Sequence, residues 1–162
     1  MIDGDRLRAL ATPQRALDLG KAAEHLVCAD LILQGHKAYL SDQGLSYDLV
    51  VDTGERLVRL QIKATCFARN SNMTGRAERI VYRFSVRRFG KGGQNRLSRI
   101  DCDIVALVAL DIRAIAYLTI EEVGSTCDLM KPGFVFKGNY KRNRLVTIDD
   151  MPFERALAKS FP

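Results

Sequence analysis

Apolar positions recur at helical spacing over residues 13–34, where Leu17, Val27 and Leu31 trace one face and Gly35 stands at the C-terminal cap position. Glu24 falls on the same stripe, seven residues after Leu17 and three before Val27. A carboxylate there is costly to bury unless it is paired or binds a cation; otherwise its head reaches water at the rim. His25 points about a hundred degrees away and reads as an exposed side chain. Beyond Gly35 the period changes to strand alternation. Lys37–Leu40 predicts a first strand and residues 41–46 a polar loop. Residues 47–63 predict a hairpin that turns at 52–55. In a strand, Gln61 and Lys63 share one face while Leu60, Ile62 and Ala64 fill the other, and the pairing brings Asp48 near the polar pair.

The rest of the chain continues the strand pattern. Ile80, Tyr82, Phe84 and Val86 alternate with Val81, Arg83, Ser85 and Arg87, so this strand has a basic face. Residues 88–96 are glycine-rich and cationic, which suits a mobile loop following a phosphate chain and equally an ordinary hairpin tip. The spacing of a nucleotide-binding P-loop is missing from it. Residues 103–110 are nearly all apolar, as a central strand covered on both faces requires. Residues 115–120 predict the next strand, 134–136 and 145–148 late strands, and 152–158 a closing helix. With no internal repeat and no linker, residues 1–162 read as a single α/β domain with a helix packed on a mixed sheet.

Charge changes the picture more than composition does. The net charge is +6, yet residues 56–100 hold twelve Lys or Arg against one acid, Glu78. Residues 131–144 add Lys131, Lys137, Lys141, Arg142 and Arg144 with no acid, and the remaining stretches are net negative. Either basic segment alone reads as a solvated surface. Two of them framing a carboxylate site point to a polyanion such as DNA or RNA. Four scattered cysteines, with no Cys-x-x-Cys pair and two histidines in all, argue against structural zinc and for free buried thiols in a reducing cytoplasm. Residues 1–6 lack the basic start and apolar stretch of a secretory signal.

A carboxylate, an amide oxygen and an ammonium on one sheet face read as a metal-dependent active site, or, more plainly, as a cross-strand surface ion pair. The order of Glu24 on a helix, Asp48 opening a strand and Gln61-Ile62-Lys63 on the next resembles the PD-(D/E)XK nuclease superfamily. The run Ile100-Asp101-Cys102-Asp103-Ile104-Val105-Ala106, and a Gln in the usual acidic position, further resemble its group I intron homing endonuclease branch, which is related to Holliday junction resolvases. The resemblance spans roughly residues 20–120. It departs at Tyr47, where the family has proline, and at Gln61, an uncharged donor that would hold a cation more weakly than a carboxylate.

The resemblance implies a restriction-endonuclease-like core, a mixed β-sheet flanked by helices, and hydrolysis of phosphodiester bonds in double-stranded DNA with Mg²⁺ (or Mn²⁺). It implies Asp48 as central metal ligand, Glu24 as second carboxylate, Gln61 through its side-chain oxygen and Ile62 through its carbonyl, with Lys63 orienting the water or neutralising developing charge. Arg83, Arg87, Arg88, Lys91 and Arg96, with Lys137, Lys141, Arg142 and Arg144, are the expected DNA contacts. Base readout would come from Arg83, Arg87 and Arg88 or from the turn at 139–143. Cutting both strands with one small site implies a homodimer or homotetramer. The alternatives are a junction resolvase and a catalytically inactive DNA-binding module of the same fold.

Overall fold

The computed structural model describes residues 4–71, 80–90, 93–133 and 146–162, with 88–90 and 93–95 described by their backbone alone. The helices are α1 (Gly4–Leu10), α2 (Ala16–Leu33), entered through a 3-10 turn at Pro13–Arg15, and α3 (Phe153–Ser160). The strands are β1 (Lys37–Leu40), β2 (Leu49–Asp52), β3 (Leu57–Thr65), β4 (Arg69–Asn70), β5 (Ile80–Ser85), β6 (Arg87–Gly90), β7 (Gly93–Arg96), β8 (Ile104–Ala109), β9 (Ala114–Thr119), β10 (Thr126–Met130) and β11 (Val146–Thr147). Among the described residues they form a five-stranded sheet β1-β2-β3-β8-β9, a four-stranded sheet β11-β10-β5-β4 and a β6-β7 ribbon. Both larger sheets are mixed, with β3 parallel to β8 and β10 parallel to β11.

Strand β8 is the axis of the molecule, and every residue of it is buried. Ile104, Ala106 and Val108 pack toward α2 and α3, while Val105, Leu107 and Ala109 pack toward β5 and β10. Its uninterrupted apolar run therefore reports two covered faces, as the sequence predicts. Helix α2 buries Ala23, Val27 and Leu31 against the same core. Leu17, expected on that stripe, is 88% exposed, so the buried stripe begins at Ala23, whose small side chain admits close packing. The helix ends where Gly35 predicts. Gly35 has φ +94°, its N–H donates to the Ile32 carbonyl, and the His36 N–H donates to the Leu31 carbonyl.

The predicted hairpin forms between β2 and β3, with Leu49 opposite Leu60 and Asp52 opposite Leu57. At its turn the Gly54 N–H donates to Asp52 Oδ1 (2.8 Å), and Gly54 takes φ +86°, a conformation a side chain would strain. Val58, Leu60 and Ile62 face the α2 core, whereas Ala64, expected beside them, is exposed at the strand end.

Several elements differ from expectation. Helix α1 and strands β4 and β10 carry too short a periodic signal to be read. Residues 87–90 pair antiparallel with 93–96 as the β6-β7 ribbon, with Arg87 opposite Arg96, as the hairpin reading expects. Strand β5 buries Tyr82, Phe84 and Val81, and leaves Ile80 59% exposed, so strict alternation fails at its start. The strand expected at 134–136 lies outside the described residues. Among the described residues no helix is long and apolar enough to cross a membrane.

Candidate active site

Asp48 sits one residue before β2, and its N–H donates to the Leu60 carbonyl (2.8 Å), which fixes it across from Gln61. Its Oδ2 accepts the Ile62 backbone N–H (2.7 Å) and the Gln61 Nε2. Hairpin register and strand alternation thus bring Asp48 and Gln61 into direct contact. A carboxylate only accepts hydrogen bonds, so Gln61 must present its amino group to it rather than its oxygen.

Glu24 projects from α2 close enough for its charge to act on Asp48. The Asp48 carboxyl titrates above its ordinary value of 3.8, chiefly because burial disfavours its charge. The Ile62 N–H opposes that shift, Glu24 adds to it, and Lys63 and Lys21 pull it back. Lys63 follows Gln61 by two residues on β3 and is half-buried. It lines a cleft of about 540 Å³ with Thr12, Gly20, Thr65 and Leu110, between the start of α2 and the end of β3. Glu24, whose side chain is 19% exposed, accepts a 2.7 Å hydrogen bond from Lys21 Nζ, and the Lys21 side chain is 48% exposed. Lys21 is missing from the sequence expectation, although its place one helical turn before Glu24 was a readable signal.

Asp48 and Glu24, hard oxygen donors whose charges act on each other, are the groups that could hold a divalent cation, whereas Gln61 and Ile62 turn an amino group and a backbone N–H toward Asp48. Among the described residues no group of three or more His, Cys, Asp or Glu comes together, so any ion here relies on uncharged oxygen for the rest of its shell. All four cysteines are free, with Cys102 buried and Cys28, Cys66 and Cys127 half-buried rather than fully enclosed. Burial pushes every one of these thiols up, Cys102 to about 12, so they are poor ligands and poor nucleophiles at neutral pH.

The expected DNA contacts divide. Arg83 is not free on a basic face. It grips Asp128 of β10 with two bonds, Nε to Oδ1 (2.7 Å) and Nη2 to Oδ2 (2.6 Å), which takes up its guanidinium fork. Arg96 donates from Nη2 to the Val123 carbonyl (3.1 Å), tying the ribbon to the loop before β10. Arg87 lies opposite Arg96 in register, and Arg88 is described by its backbone on β6. Lys91, Lys137, Lys141, Arg142 and Arg144 lie outside the described residues, as does the turn at 139–143.

The strand that carries the site is anchored from its other end. Arg59 on β3 donates to Asp103 through Nε (3.1 Å) and Nη2 (2.8 Å), and to the Ile100 and Arg99 carbonyls. Asp103 Oδ2 also accepts the Arg59 backbone N–H (2.9 Å). The loop entering β8 is thereby locked to β3 two residues before Gln61.

No family model and no curated protein matches the chain. Among solved structures, that of a bacterial homing endonuclease, I-Ssp6803I, aligns over 86% of this chain and 89% of its own, with a TM-score of 0.56 and 18% sequence identity. At that identity the likeness is one of fold: the chain has the mixed α/β architecture of a nuclease-like core.

Proposed function

We propose that this protein is a divalent-metal-dependent endonuclease that hydrolyses phosphodiester bonds in duplex DNA, as a PD-(D/E)XK enzyme of the homing type. The observation that supports this reading is the contact of Asp48 with Gln61 across the β2-β3 pair, within reach of the charges of Glu24 and Lys63. The shared fold with a homing endonuclease structure supports it. Asp48, Glu24, the Gln61 oxygen and the Ile62 carbonyl would hold Mg²⁺ or Mn²⁺. A bound ion of this kind polarises a phosphoryl oxygen and lowers the pKa of a coordinated water.

The residues themselves divide the work. Asp48 is fixed by backbone and side-chain donors before substrate arrives, so its carboxylate needs little reorganisation. To offer its oxygen to an ion, Gln61 would have to turn its amide and give up its bond to Asp48. Lys63, which lines the adjoining cleft, would neutralise charge gathering on the attacked phosphate and orient the incoming water. The cationic stretches at 56–100 and 131–144 supply the sequence-independent affinity for the backbone. One such site cuts one strand, so cleavage of both calls for two or more copies.

Incubating the protein with supercoiled plasmid, with Mg²⁺ or with EDTA, tests the reading. Nicking should require the metal and fall by about a hundredfold or more in both Asp48→Ala and Lys63→Ala. Cleavage by Asp48→Ala at the wild-type rate would refute it. Binding without cutting under Mg²⁺ and Mn²⁺ alike would leave a DNA-binding module, and preference for a synthetic four-way junction a resolvase.

A further inference from the structure

Among the described residues, Lys21 acts on both candidate carboxylates, and neither the motif nor the proposed mechanism uses it. Its Nζ lies 2.7 Å from Glu24 Oε2, one helical turn along α2, and its charge is also felt at Asp48. Together with Lys63 it balances the two carboxylates, so the site is near electrical neutrality before any divalent ion arrives.

The exposures of the pair are unequal. Glu24 is mostly covered while Lys21 stands half in water, so the carboxylate is held and the ammonium is the partner that can leave. A lysine on a flexible stem pairs without a fixed geometry, and an exposed pair three residues apart on a helix is a weak one. A doubly charged ion approaching Glu24 meets a neighbour that is easy to displace yet repels it.

We propose that Lys21 is a resident counter-ion of Glu24 that competes with the divalent cation and so sets the metal concentration at which the site loads. This rests on the metal-site reading above. With Lys21 in place, Glu24 is neutralised and the carboxylates tolerate each other. When the ion binds, the ammonium swings off Glu24 toward solvent.

The test is Mn²⁺ binding to the whole protein without DNA, followed by titration calorimetry and by the electron spin resonance signal of unbound Mn²⁺. Lys21→Met keeps the stem and the helix propensity but removes the charge. It should tighten Mn²⁺ binding by about three- to tenfold, the range expected for removing one charge near a divalent ion at the protein surface. Lys21→Arg should stay within about twofold of wild type, since it keeps the charge. Unchanged or weaker binding in a Lys21→Met protein with wild-type circular dichroism would overturn the inference and leave the nuclease reading standing. A wild type that binds no Mn²⁺, with Asp48→Asn behaving the same, would overturn the metal site and this inference with it.

Discussion

Replacing Asp48 with asparagine should stabilise the protein and, on the proposed nuclease function, abolish cleavage. Both hydrogen bonds to the Asp48 side chain land on Oδ2, from the Ile62 N–H and the Gln61 amino group. The single carbonyl oxygen of asparagine can accept both, so the geometry survives and only the charge is lost. Burial and the repulsion of Glu24 oppose that charge more than the Ile62 N–H, Lys63 and Lys21 favour it, because the carboxyl titrates above 3.8. Relieving a part-buried carboxylate of a disfavoured charge gains on the order of 1 kcal/mol, the size of a unit-charge interaction at a solvent-screened site. A gain of that size should raise the melting temperature by about 2–4 °C in a chain of this length.

The sign of the pH dependence follows from the direction of the shift. A carboxyl whose folded-state pKa is raised holds its proton more tightly in the native state, so its contribution is favourable at acid pH and is lost as pH rises through the raised value. The Asp48→Asn advantage should therefore be full at neutral pH and vanish below the ordinary value of 3.8. Urea melts of wild type and variant without metal, at neutral and acid pH, measure this directly. Adding Mn²⁺ should then stabilise the wild type and leave the variant unmoved. A metal-free variant less stable than wild type at neutral pH, or an advantage that persists unchanged in acid, would refute the reasoning.

Asp103→Ala should cost about 3 kcal/mol, or about 6–12 °C in melting temperature, because it strips partners from the half-buried Arg59 side chain and its backbone N–H. A loss below about 1 kcal/mol in chemical denaturation would show that the clamp is slack. Glu122 governs acid stability: burial pushes its carboxyl up, but Arg155, Lys159 and the Thr119 N–H outweigh that and hold it at about 2, down from 4.5. Its contribution is present above 4.5 and is lost as pH falls toward about 2. Glu122→Gln should thus be about 1 kcal/mol less stable than wild type at pH about 6 and equal to it only below pH about 2; a constant difference would argue against the ion pairs as its source.

Local patterns carried much of this fold. Helix α2 and its glycine cap, the β2-β3 hairpin and the doubly covered β8 each write a strong periodic signal, and those elements position Asp48, Gln61 and Lys63. Short elements were not legible. Strand β10 alternates too few apolar residues to stand out, and it matters only because β5 and β11 flank it. Side-chain pairing across distant elements was equally hidden. Arg83 reads as a basic residue on an exposed face until β10 brings Asp128 alongside it. Leu17 matched a helical period but falls beyond the surface that the sheet covers. Charge segregation was readable because it needs only counting, and the i, i+3 spacing of Lys21 and Glu24 was equally open to reading.

The parallel join between β3 and β8 has a consequence for how the candidate site behaves. Gln61, Ile62 and Lys63 sit in register with Val105, Ala106 and Leu107, the most deeply enclosed ladder of the molecule. Separating that ladder exposes both cores at once, so amide protons there exchange with solvent water only when the whole chain comes apart. The backbone beneath the site is therefore expected to stay fixed until global melting.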